Sequence, residues 1–320
     1  MPPTADDRAI ALAIERWFRA NARDLPWRPE PIDAPRDPYR ALVSELMLQQ
    51  TQVSRVIEKY DRFIERFPTA ETLAAASEED VLAEWSGLGY YRRARFLHAA
   101  ARAIVHEHDG VFPVEPAQIR SLPGVGRYTA GAIASIVLGL REPILDGNVE
   151  RVLLRVHAKP DPPKDKATQT WAWHKAEELV LASDHPGCLN EGLMELGATV
   201  CTPGTPGCPS CPLRDSCQAH ARGLTDIIPL PKPRAKQAVR FVVCFLVTDG
   251  DGSVLIETRP VSGMWAGMVQ PPSIEGDEEM DVLSCAHQLG IEPGERLGCF
   301  VHTTTHRRFS FEVHRGALAG

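Results

Sequence analysis

Apolar residues recur every three or four positions through the first two thirds of the chain, which is the spacing of amphipathic helices. The pattern begins at Asp7 and runs to about His220, with Pro, Gly and Asp marking the ends of successive short segments. Two polar stretches that carry several prolines, 28–38 and 159–166, interrupt it and are predicted to be surface loops. We therefore predict an all-α domain of short packed helices in this part of the chain.

The pattern changes to β-branched, strand-like runs after the segment 226–238. These runs cover 239–249, 252–259 and 300–316. A helix is predicted near Glu278 to Leu289, and the Pro-rich, basic segment before the first run has the composition of a semi-rigid linker. The predicted organisation is an all-α domain at 1–222, a linker at 223–238 and a small α/β domain at 239–320.

The composition is that of a globular protein, with 320 residues of which 43% are apolar, enough for the cores of two ordinary domains. The net charge of −7 argues against nucleic-acid binding by the whole surface but allows a local basic face. The longest apolar run, 129–140, is too short to span a bilayer, and the first residues lack the pattern of an export signal. We expect a cytosolic monomer, associated with the nucleoid if the source is bacterial, that does not bind membranes.

Four of the eight cysteines lie within 17 residues, with six, two and five residues between them. They are Cys201, Cys208, Cys211 and Cys217. Because Pro and Gly separate them, the intervening loops can fold back and bring four thiolates to one metal centre. Sulfur ligands suit zinc and iron–sulfur clusters alike, so the type of ligand leaves both metal centres open. The other cysteines stand in apolar or strand-like contexts and are assigned to the cores.

The segment LPGVGRYTAGA at 122–132 places two glycines ahead of an apolar helix. Gly124, Val125 and Gly126 can present successive backbone N–H groups that bind a phosphate oxygen without reading base sequence. An ordinary tight turn has the same composition, so this alternative stays open. Further along, Asp146 can cap the helix predicted to begin near Val149, where its carboxylate would be held ionised.

The hairpin, the position of Asp146 and the cysteine spacing together resemble the helix-hairpin-helix DNA glycosylase superfamily, in its iron–sulfur branch. The motifs LPWR (25–28), SELMLQQTQV (44–53) and GLGYYRRAR (87–95) resemble the MutY-type adenine DNA glycosylases of that branch. The resemblance implies a mainly α fold that encloses a DNA-binding cleft, with a [4Fe-4S] cluster on the four-cysteine loop. It also implies a small α/β, Nudix-like C-terminal domain that contacts 8-oxoguanine.

Two carboxyl groups carry the chemistry that the resemblance implies. Glu45 borders the apolar face of its predicted helix, where desolvation would raise its pKa, although a solvated surface glutamate is the alternative at such a position. By resemblance, Glu45 protonates the extruded adenine and Asp146 stabilises the oxocarbenium-like sugar, while Tyr128 and Asn148 orient Asp146 and the water. Lyase members of the superfamily have a lysine where this chain has Tyr128, which implies a monofunctional enzyme.

The remaining matched positions contact the two bases of the mispair or the DNA backbone in the family. By resemblance, Trp27, Arg28 and Glu191 line the adenine pocket, and Gln50, Leu88, Tyr90, Thr305 and His306 contact the opposite lesion. From position alone, Leu88 and Tyr90 could be core residues. Arg92, Arg93 and Arg95 are predicted to supply a local positive face that contacts phosphates, although a solvated basic turn would look the same. The chain departs from the family at Thr304, where an aromatic residue is usual, and in the loop after Arg28, which is longer.

The predicted function is hydrolysis of the N-glycosidic bond of adenine that is mispaired with 8-oxoguanine or guanine in duplex DNA. The alternatives are a related glycosylase for thymine or uracil opposite guanine, and a non-catalytic iron–sulfur DNA-binding protein. An acid at Glu45 favours adenine, because release of a purine needs protonation of a ring nitrogen and release of a pyrimidine does not. Nucleotide pyrophosphate hydrolysis is not expected, because the segment EEMDVLSCAHQLG lacks the glutamate run that binds Mg²⁺.

Overall fold

The computed structural model describes residues 4–32, 34–163, 165–231, 237–260, 263–304 and 307–318. The chain divides into two compact units, Met1–Lys232 and Pro233–Gly320. Within these described residues, none of the helices combines the length and the apolar character needed to traverse a bilayer.

Among its described residues, the first unit consists of helices joined by loops and contains no strand. Its α-helices are α1 (Ala5–Asn21), α2 (Pro38–Leu48), α3 (Val53–Arg66), α4 (Ala70–Ala75), α5 (Glu78–Glu84), α6 (Arg92–Glu107), α7 (Pro116–Ser121), α8 (Arg127–Ala132), α9 (Gly147–Val156), α10 (Lys166–Ala182), α11 (Pro186–Thr199) and α12 (Gln218–Ala221). A π-helical segment, Ile133–Val137, continues α8, and short 3₁₀ turns cover Cys208–Ser210 and Arg214–Ser216.

Side-chain caps fix the starts of the two helices that carry the predicted carboxyl groups. The Asp37 carboxylate accepts from the backbone N–H groups of Tyr39 and Arg40, so α2 begins at Pro38, whose fixed φ suits a first helical residue. The Asp146 carboxylate accepts from two N–H groups at the start of α9 in the same way. Both helices therefore begin where the sequence supplies an acidic cap.

Two large apolar cores and a smaller one around Leu154 and Ile228 lie among the described residues of the first unit. The hairpin helix, which is α8 with its π-helical continuation, contributes to both large cores. One core is formed chiefly by α2, α3 and α6, and includes Leu42, Phe63, Trp85 and Leu97, all fully buried. The other is formed by α1, α9, α10 and α11, and includes Ile14, Leu153, Leu179 and Leu193. Ala132, the last residue of α8, belongs to the second core, whereas Ile133 and Ala134, which follow it, belong to the first.

The apolar helix predicted from Thr129 to Leu140 is wrong in its extent and its type. The α-helix ends at Ala132, and the chain widens into the π-helical segment. The Ser135 hydroxyl donates to the Gly131 carbonyl at 2.7 Å, and Asn190 on α11 donates to that hydroxyl at 2.7 Å. A side chain that bonds to the preceding turn competes with the regular ladder, and such insertions accompany π-bulges.

The second unit combines one four-stranded sheet with a short helix. Its elements are β1 (Ala238–Val247), β2 (Glu257–Thr258), β3 (Val269–Gln270), β4 (Ser273–Gly276), α13 (Val282–Leu289), β5 (Ile291–Thr303) and β6 (Arg307–Leu318). The sheet order is β4-β1-β6-β5, with β1 parallel to β6 and the other pairs antiparallel, while β2 and β3 form a separate pair. Phe245, Cys285 and Ile291 are buried between the sheet and α13.

Three elements of the second unit differ from their prediction. The helix begins at Val282 rather than near Glu278, because the Asp281 carboxylate caps it through the N–H of Ser284. The run 252–259 forms only the two-residue strand β2. The run 300–316 is the end of β5 and most of β6, because the chain reverses between them.

A glycine allows α11 to lie directly against the start of α9. A Cβ atom at Gly197 would lie 2.6 Å from the Cβ of Asn148 and 3.0 Å from its Cα. We expect Gly197→Ala to lower the free energy of unfolding by about 1–3 kcal/mol, measured by urea denaturation, because α9 would be displaced. The control is Gly147→Ala on α9, where an added Cβ meets no atom within 4 Å. Equal stability of the two variants would contradict this interpretation.

Candidate active site

A cavity of about 440 Å³ opens in the first unit beside α2, α11 and the π-helical segment. The loop before α2 forms another part of its wall. The side chains that line it include Trp27, Arg28, Arg36, Glu45, Tyr60, Ile133, Ile136, Glu191 and Met194. A mixed wall of apolar and charged groups at this volume is typical of a site for a small organic group such as a nucleobase.

Glu45 lies in the wall of this cavity and has an elevated pKa. Burial raises the pKa of its carboxyl to about 7, and the negative charges of Glu191 and Asp146 act in the same direction. A hydrogen bond with Tyr128 and the positive charge of Arg36 oppose that rise. A carboxyl group with such a pKa is protonated in a large fraction of molecules at neutral pH and can donate a proton.

Asp146 is held in one orientation at the N-terminus of α9. Its Oδ1 accepts from the backbone N–H groups of Asn148 at 3.0 Å and Val149 at 2.8 Å, and its Oδ2 accepts from Asn148 Nδ2 at 3.0 Å. The pKa of Asp146 is raised, because the effect of burial exceeds that of these three hydrogen bonds and the charge of Arg151, which lower it. All three hydrogen bonds favour the carboxylate over the protonated form.

Arg151 fixes the amide of Asn148, and it was not among the residues predicted from the sequence. Its Nη2 donates to Asn148 Oδ1 at 2.8 Å, and because a guanidinium only donates, the Asn148 amide nitrogen must face Asp146. The same guanidinium donates to the carbonyls of Gly197 at 2.7 Å and Cys201 at 2.8 Å. The signal in the sequence was the three-residue spacing from Asn148 to Arg151, which places both on one helix face.

Tyr128 adjoins both carboxyl groups. Its hydroxyl lies 3.0 Å from the sulfur of Met194, and burial together with the charges of Glu45 and Asp146 raises its pKa well above the ordinary value. The side chain is therefore a neutral phenol at physiological pH. Glu45, Tyr128 and Asp146, predicted from distant parts of the sequence, thus lie together.

Glu191 belongs to a chain of buried ion pairs beside the cavity. Arg28 donates to Glu191 Oε1 at 3.1 Å and to Glu195 Oε2 at 2.9 Å, and Arg23 pairs with the other oxygen of Glu195 at 2.5 Å. Arg36 pairs with Glu191 Oε2 at 2.5 Å. Sequence reasoning identified Arg28 and Glu191 but missed the other three, whose partners are more than 150 residues away in the chain.

Trp27 and Tyr60 form the aromatic part of the cavity wall. The ring of Trp27 meets the ring of Tyr60 on α3 edge-to-face, with the centroids 5.5 Å apart. An edge-to-face pair fixes the orientation of both rings. Trp27 therefore lies at the cavity, and its contact with a base stays a prediction.

The predicted lesion contacts occupy unlike environments. Gln50 and Tyr90 are exposed and have left-handed backbone, with φ of 55° and 47°. Leu88 is only 5% exposed and packs in the first core, so the core alternative describes its observed position. Thr305 and His306 lie outside the described residues, and Thr304 bonds through its hydroxyl and main chain to Arg307.

The expected positive face after Tyr91 is only partly present. Arg92 is exposed and lies over the ring of Phe96 at 4.9 Å, and Arg95 pairs with Glu78 at 2.8 Å. The inclusion of Arg93 in this face was wrong, because its side chain is buried. It donates to the carbonyls of Leu46, Met47, Gln49, Leu88 and Gly89.

The hairpin turn has the glycine geometry that its sequence predicts, with one correction. Gly124 has a φ of 77°, and a Cβ there would lie 2.5 Å from the Cβ of Phe96. Gly126 is exposed and precedes α8. The N–H of Val125 was predicted to face phosphate, but it donates to the carbonyl of Leu122 at 3.1 Å. A phosphate site at this turn would therefore use Gly124 and Gly126.

The four clustered cysteines line one pocket together with Arg155, and none of them forms a disulfide. Arg155 Nη1 donates to the sulfur of Cys201 at 3.4 Å. Burial, together with the other three thiols, raises the pKa of the Cys211 thiol to about 11. Among the described residues, no three His, Cys, Asp or Glu side chains stand at the spacing of a single ion. Four soft sulfur donors around one pocket are chemically suited to a metal–sulfur group.

The hairpin turn before α8, the capped Asp146 and the cavity that contains Glu45 are together the features of a base-excision DNA glycosylase. In agreement, the family model described as HhH-GPD superfamily base excision DNA repair protein matches residues 43–178, and a NUDIX domain model matches residues 243–320. A solved structure of a thermostable thymine-DNA glycosylase superposes with a TM-score of 0.59 at 26% identity, covering 68% of this chain and 97% of its own.

Two curated relatives identify the family within this class. An adenine DNA glycosylase of Rattus norvegicus is 36% identical over 371 residues, which cover 99% of this chain and 72% of the relative. The adenine DNA glycosylase of Homo sapiens is 35% identical, with 99% and 68% covered. The chain belongs to the adenine DNA glycosylase family. The predicted fold class, a mainly α helix-hairpin-helix glycosylase with a Nudix-like second domain, is thereby confirmed.

The elevated pKa of Glu45 makes the stability of the protein depend on pH. Below about pH 4.5 this carboxyl is protonated in both folded and unfolded chains. Between about pH 4.5 and 7 the unfolded chain loses this proton while the folded chain keeps it, so the folded state loses stability over this range and has lost it fully above pH 7. We therefore expect Glu45→Gln to be more stable than the parent by about 1–3 kcal/mol near pH 8 and equally stable near pH 4, measured by urea denaturation.

The matched control is Glu58→Gln, in an exposed pair with Arg55. It should show no such pH-dependent difference. A Glu45→Gln variant whose advantage is the same at both pH values would contradict the assigned pKa.

Proposed function

We propose that the protein hydrolyses the N-glycosidic bond of adenine mispaired with 8-oxoguanine or guanine in duplex DNA. It leaves an abasic site and does not cut the strand. The observation that carries this proposal is Glu45, a carboxyl group with a pKa of about 7 in the wall of a base-sized cavity and next to Asp146. An acid with this pKa in this position is what release of a purine requires.

The two carboxyl groups divide the reaction between them. The mispaired adenine is extruded from the stack, at a cost of a few kcal/mol, and enters the cavity. Glu45 donates a proton to a ring nitrogen, so the base leaves as a neutral molecule with the electrons of the glycosidic bond. General-acid assistance of this kind contributes roughly 10²- to 10⁴-fold to the rate.

Asp146 and a water molecule complete the hydrolysis. The sugar develops positive charge as the base departs, and the carboxylate of Asp146 stabilises it from its fixed position at the start of α9. Water then adds to the sugar carbon and its proton passes to solvent, which balances the proton that Glu45 gave to the base. Because Asn148 donates to Asp146, the carboxylate keeps its orientation through this step.

Tyr128 supports a monofunctional enzyme. Strand cleavage by this superfamily fold would require an amine that attacks the sugar and forms a Schiff base. A phenol with a strongly raised pKa is neither an amine nor an ionised nucleophile at neutral pH. The route that remains for these side chains is hydrolysis.

The test is a single-turnover assay on duplexes that contain adenine opposite 8-oxoguanine, guanine or thymine, with and without alkali to cleave abasic sites. We expect adenine release opposite 8-oxoguanine and guanine, with strand breaks only after alkali. Asp146→Asn and Glu45→Gln should still bind the mispair but release adenine at least about 10²-fold more slowly. Glu58→Gln is the control of unchanged rate.

Two outcomes of this assay would contradict the proposed function and favour another one. Release of thymine or uracil opposite guanine, without release of adenine, would favour a specificity like that for which the similar thymine-DNA glycosylase is named. Binding of the mispair without release of any base by the parent protein would favour a non-catalytic DNA-binding role.

We also propose a [4Fe-4S] cluster on Cys201, Cys208, Cys211 and Cys217. The support is the chemistry of the donor set, four thiols around one pocket without disulfides. When bound, such a cluster would stabilise the loop by joining its ends. Arg155, which donates to the sulfur of Cys201, would orient this ligand.

Protein purified in air should be yellow-brown, with broad absorbance toward the blue end of the visible spectrum and iron in proportion to the chain. Cys208→Ser should lose colour and iron, because one of four ligands is removed. Cys299→Ser is the matched control, since Cys299 is an exposed thiol of the second unit. Colourless protein with stoichiometric zinc would refute the cluster.

A further inference from the structure

The loop before α2 brings a second guanidinium into the ion pairs beside the cavity. Arg36 Nη1 donates to Glu191 Oε1 at 3.1 Å, and its Nη2 donates to Glu191 Oε2 at 2.5 Å. The Arg36 side chain is 11% exposed and that of Glu191 is 6% exposed. A two-point pair of this kind fixes the plane of the carboxylate as well as its position.

Arg28 and Arg36 hold Glu191 in different ways. Arg28 reaches Glu191 through one nitrogen only, and another of its nitrogens donates to Glu195 at 2.9 Å. Arg36 contacts both oxygens of Glu191. The orientation of the Glu191 carboxylate in the cavity wall is therefore set mainly by Arg36.

We propose that Arg36 is a positioning residue of the base pocket, which orients Glu191 and supplies the positive charge that balances the carboxyl groups around Glu45. The inference rests on the proposed function only for the assignment of the cavity as a base pocket. The contacts between Arg36 and Glu191 do not depend on that function. Its assigned role is to act through Glu191, both of whose carboxylate oxygens it contacts.

The charges around Glu45 come from four elements. Tyr128 on α8 shares a hydrogen bond with it, Asp146 precedes α9, Glu191 lies on α11, and Arg36 lies in the loop before α2. The two carboxylates raise the pKa of Glu45, whereas Arg36 and the hydrogen bond of Tyr128 lower it.

Removal of the Arg36 charge has two effects of the same sign. The direct attraction that favours ionised Glu45 is lost, and the charge of Glu191 is compensated less completely. Both effects raise the pKa of Glu45. A residue that only anchored its loop would not change this titration, so the titration separates positioning from a structural role.

The first experiment measures the Glu45 carboxyl directly, by ¹³C NMR titration of protein labelled at glutamate side chains. Glu45→Gln identifies the signal by its loss. We expect Arg36→Gln to shift the Glu45 midpoint to higher pH and Arg36→Lys, which keeps the charge, to leave it near the parent value. Arg8→Gln removes an exposed two-point pair with Asp184 and should leave it unchanged. An unchanged midpoint in Arg36→Gln overturns the proposal.

The second experiment measures the pH dependence of adenine release under single-turnover conditions. For Arg36→Gln the alkaline fall should move to higher pH, so that the ratio of the rate near pH 9 to that near pH 7 rises about threefold or more. For Arg36→Lys the profile should keep its shape but the rate should fall, because a point donor cannot hold both oxygens of Glu191.

Arg36→Lys keeps the inference testable if Arg36→Gln does not fold, since a parental rate for Arg36→Lys at every pH would overturn it. Failure of the proposed function would give a different experimental result from failure of this inference. If the parent protein releases no adenine, that function is refuted, while the NMR titration still tests Arg36.

Discussion

Three carboxyl groups, Glu45, Asp146 and Glu191, lie around one partly buried site, and charges of like sign so close together cannot all be ionised without compensation. The structure meets this constraint differently for each group. Asp146 is stabilised as the carboxylate by the start of α9 and the amide of Asn148, and Glu191 by two guanidinium groups. Glu45 lacks comparable compensation, so burial, reinforced by the negative charges of Glu191 and Asp146, raises its pKa to about 7. Glu45 is thus the acid of the site because it is buried and because the charges of Asp146 and Glu191 are compensated while a charge on Glu45 would be compensated less.

The fold supplies this arrangement by bringing helix ends close together. The hairpin helix spans both cores, and its π-helical end is joined to α11 through Ser135 and Asn190. Gly197 lets α11 lie against the first turn of α9. These two close contacts place Tyr128, Asp146 and Glu191 within reach of Glu45, although the residues are spread over nearly 150 positions. The close packing and the electrostatics of the site therefore have the same origin.

Features that depend on residues close together in the sequence were predictable, and those formed by residues far apart in the sequence were not. The cap at Asp146 and the cysteine loop depend on residues a few positions apart, so their types and spacing sufficed. The pairs of Arg36 with Glu191 and of Arg23 with Glu195 join positions more than 150 residues apart, and no local pattern announces them. The end of α8 was predicted wrongly for the same reason, because a hydrogen bond from Asn190 on another helix helps to fix it. Arg93 stands in a basic run, but its burial depends on carbonyls from α2.

Arg93 gives the first unit a mechanical property. One buried guanidinium gathers carbonyl oxygens from the C-terminal end of α2 and from the turn between α5 and α6. To part these two segments would leave a cation and several carbonyls without partners in the interior, at a cost of several kcal/mol. The exposed Gln50 and Tyr90, one on each segment, therefore move as a single rigid tip, and that tip is continuous with the helix that carries Glu45.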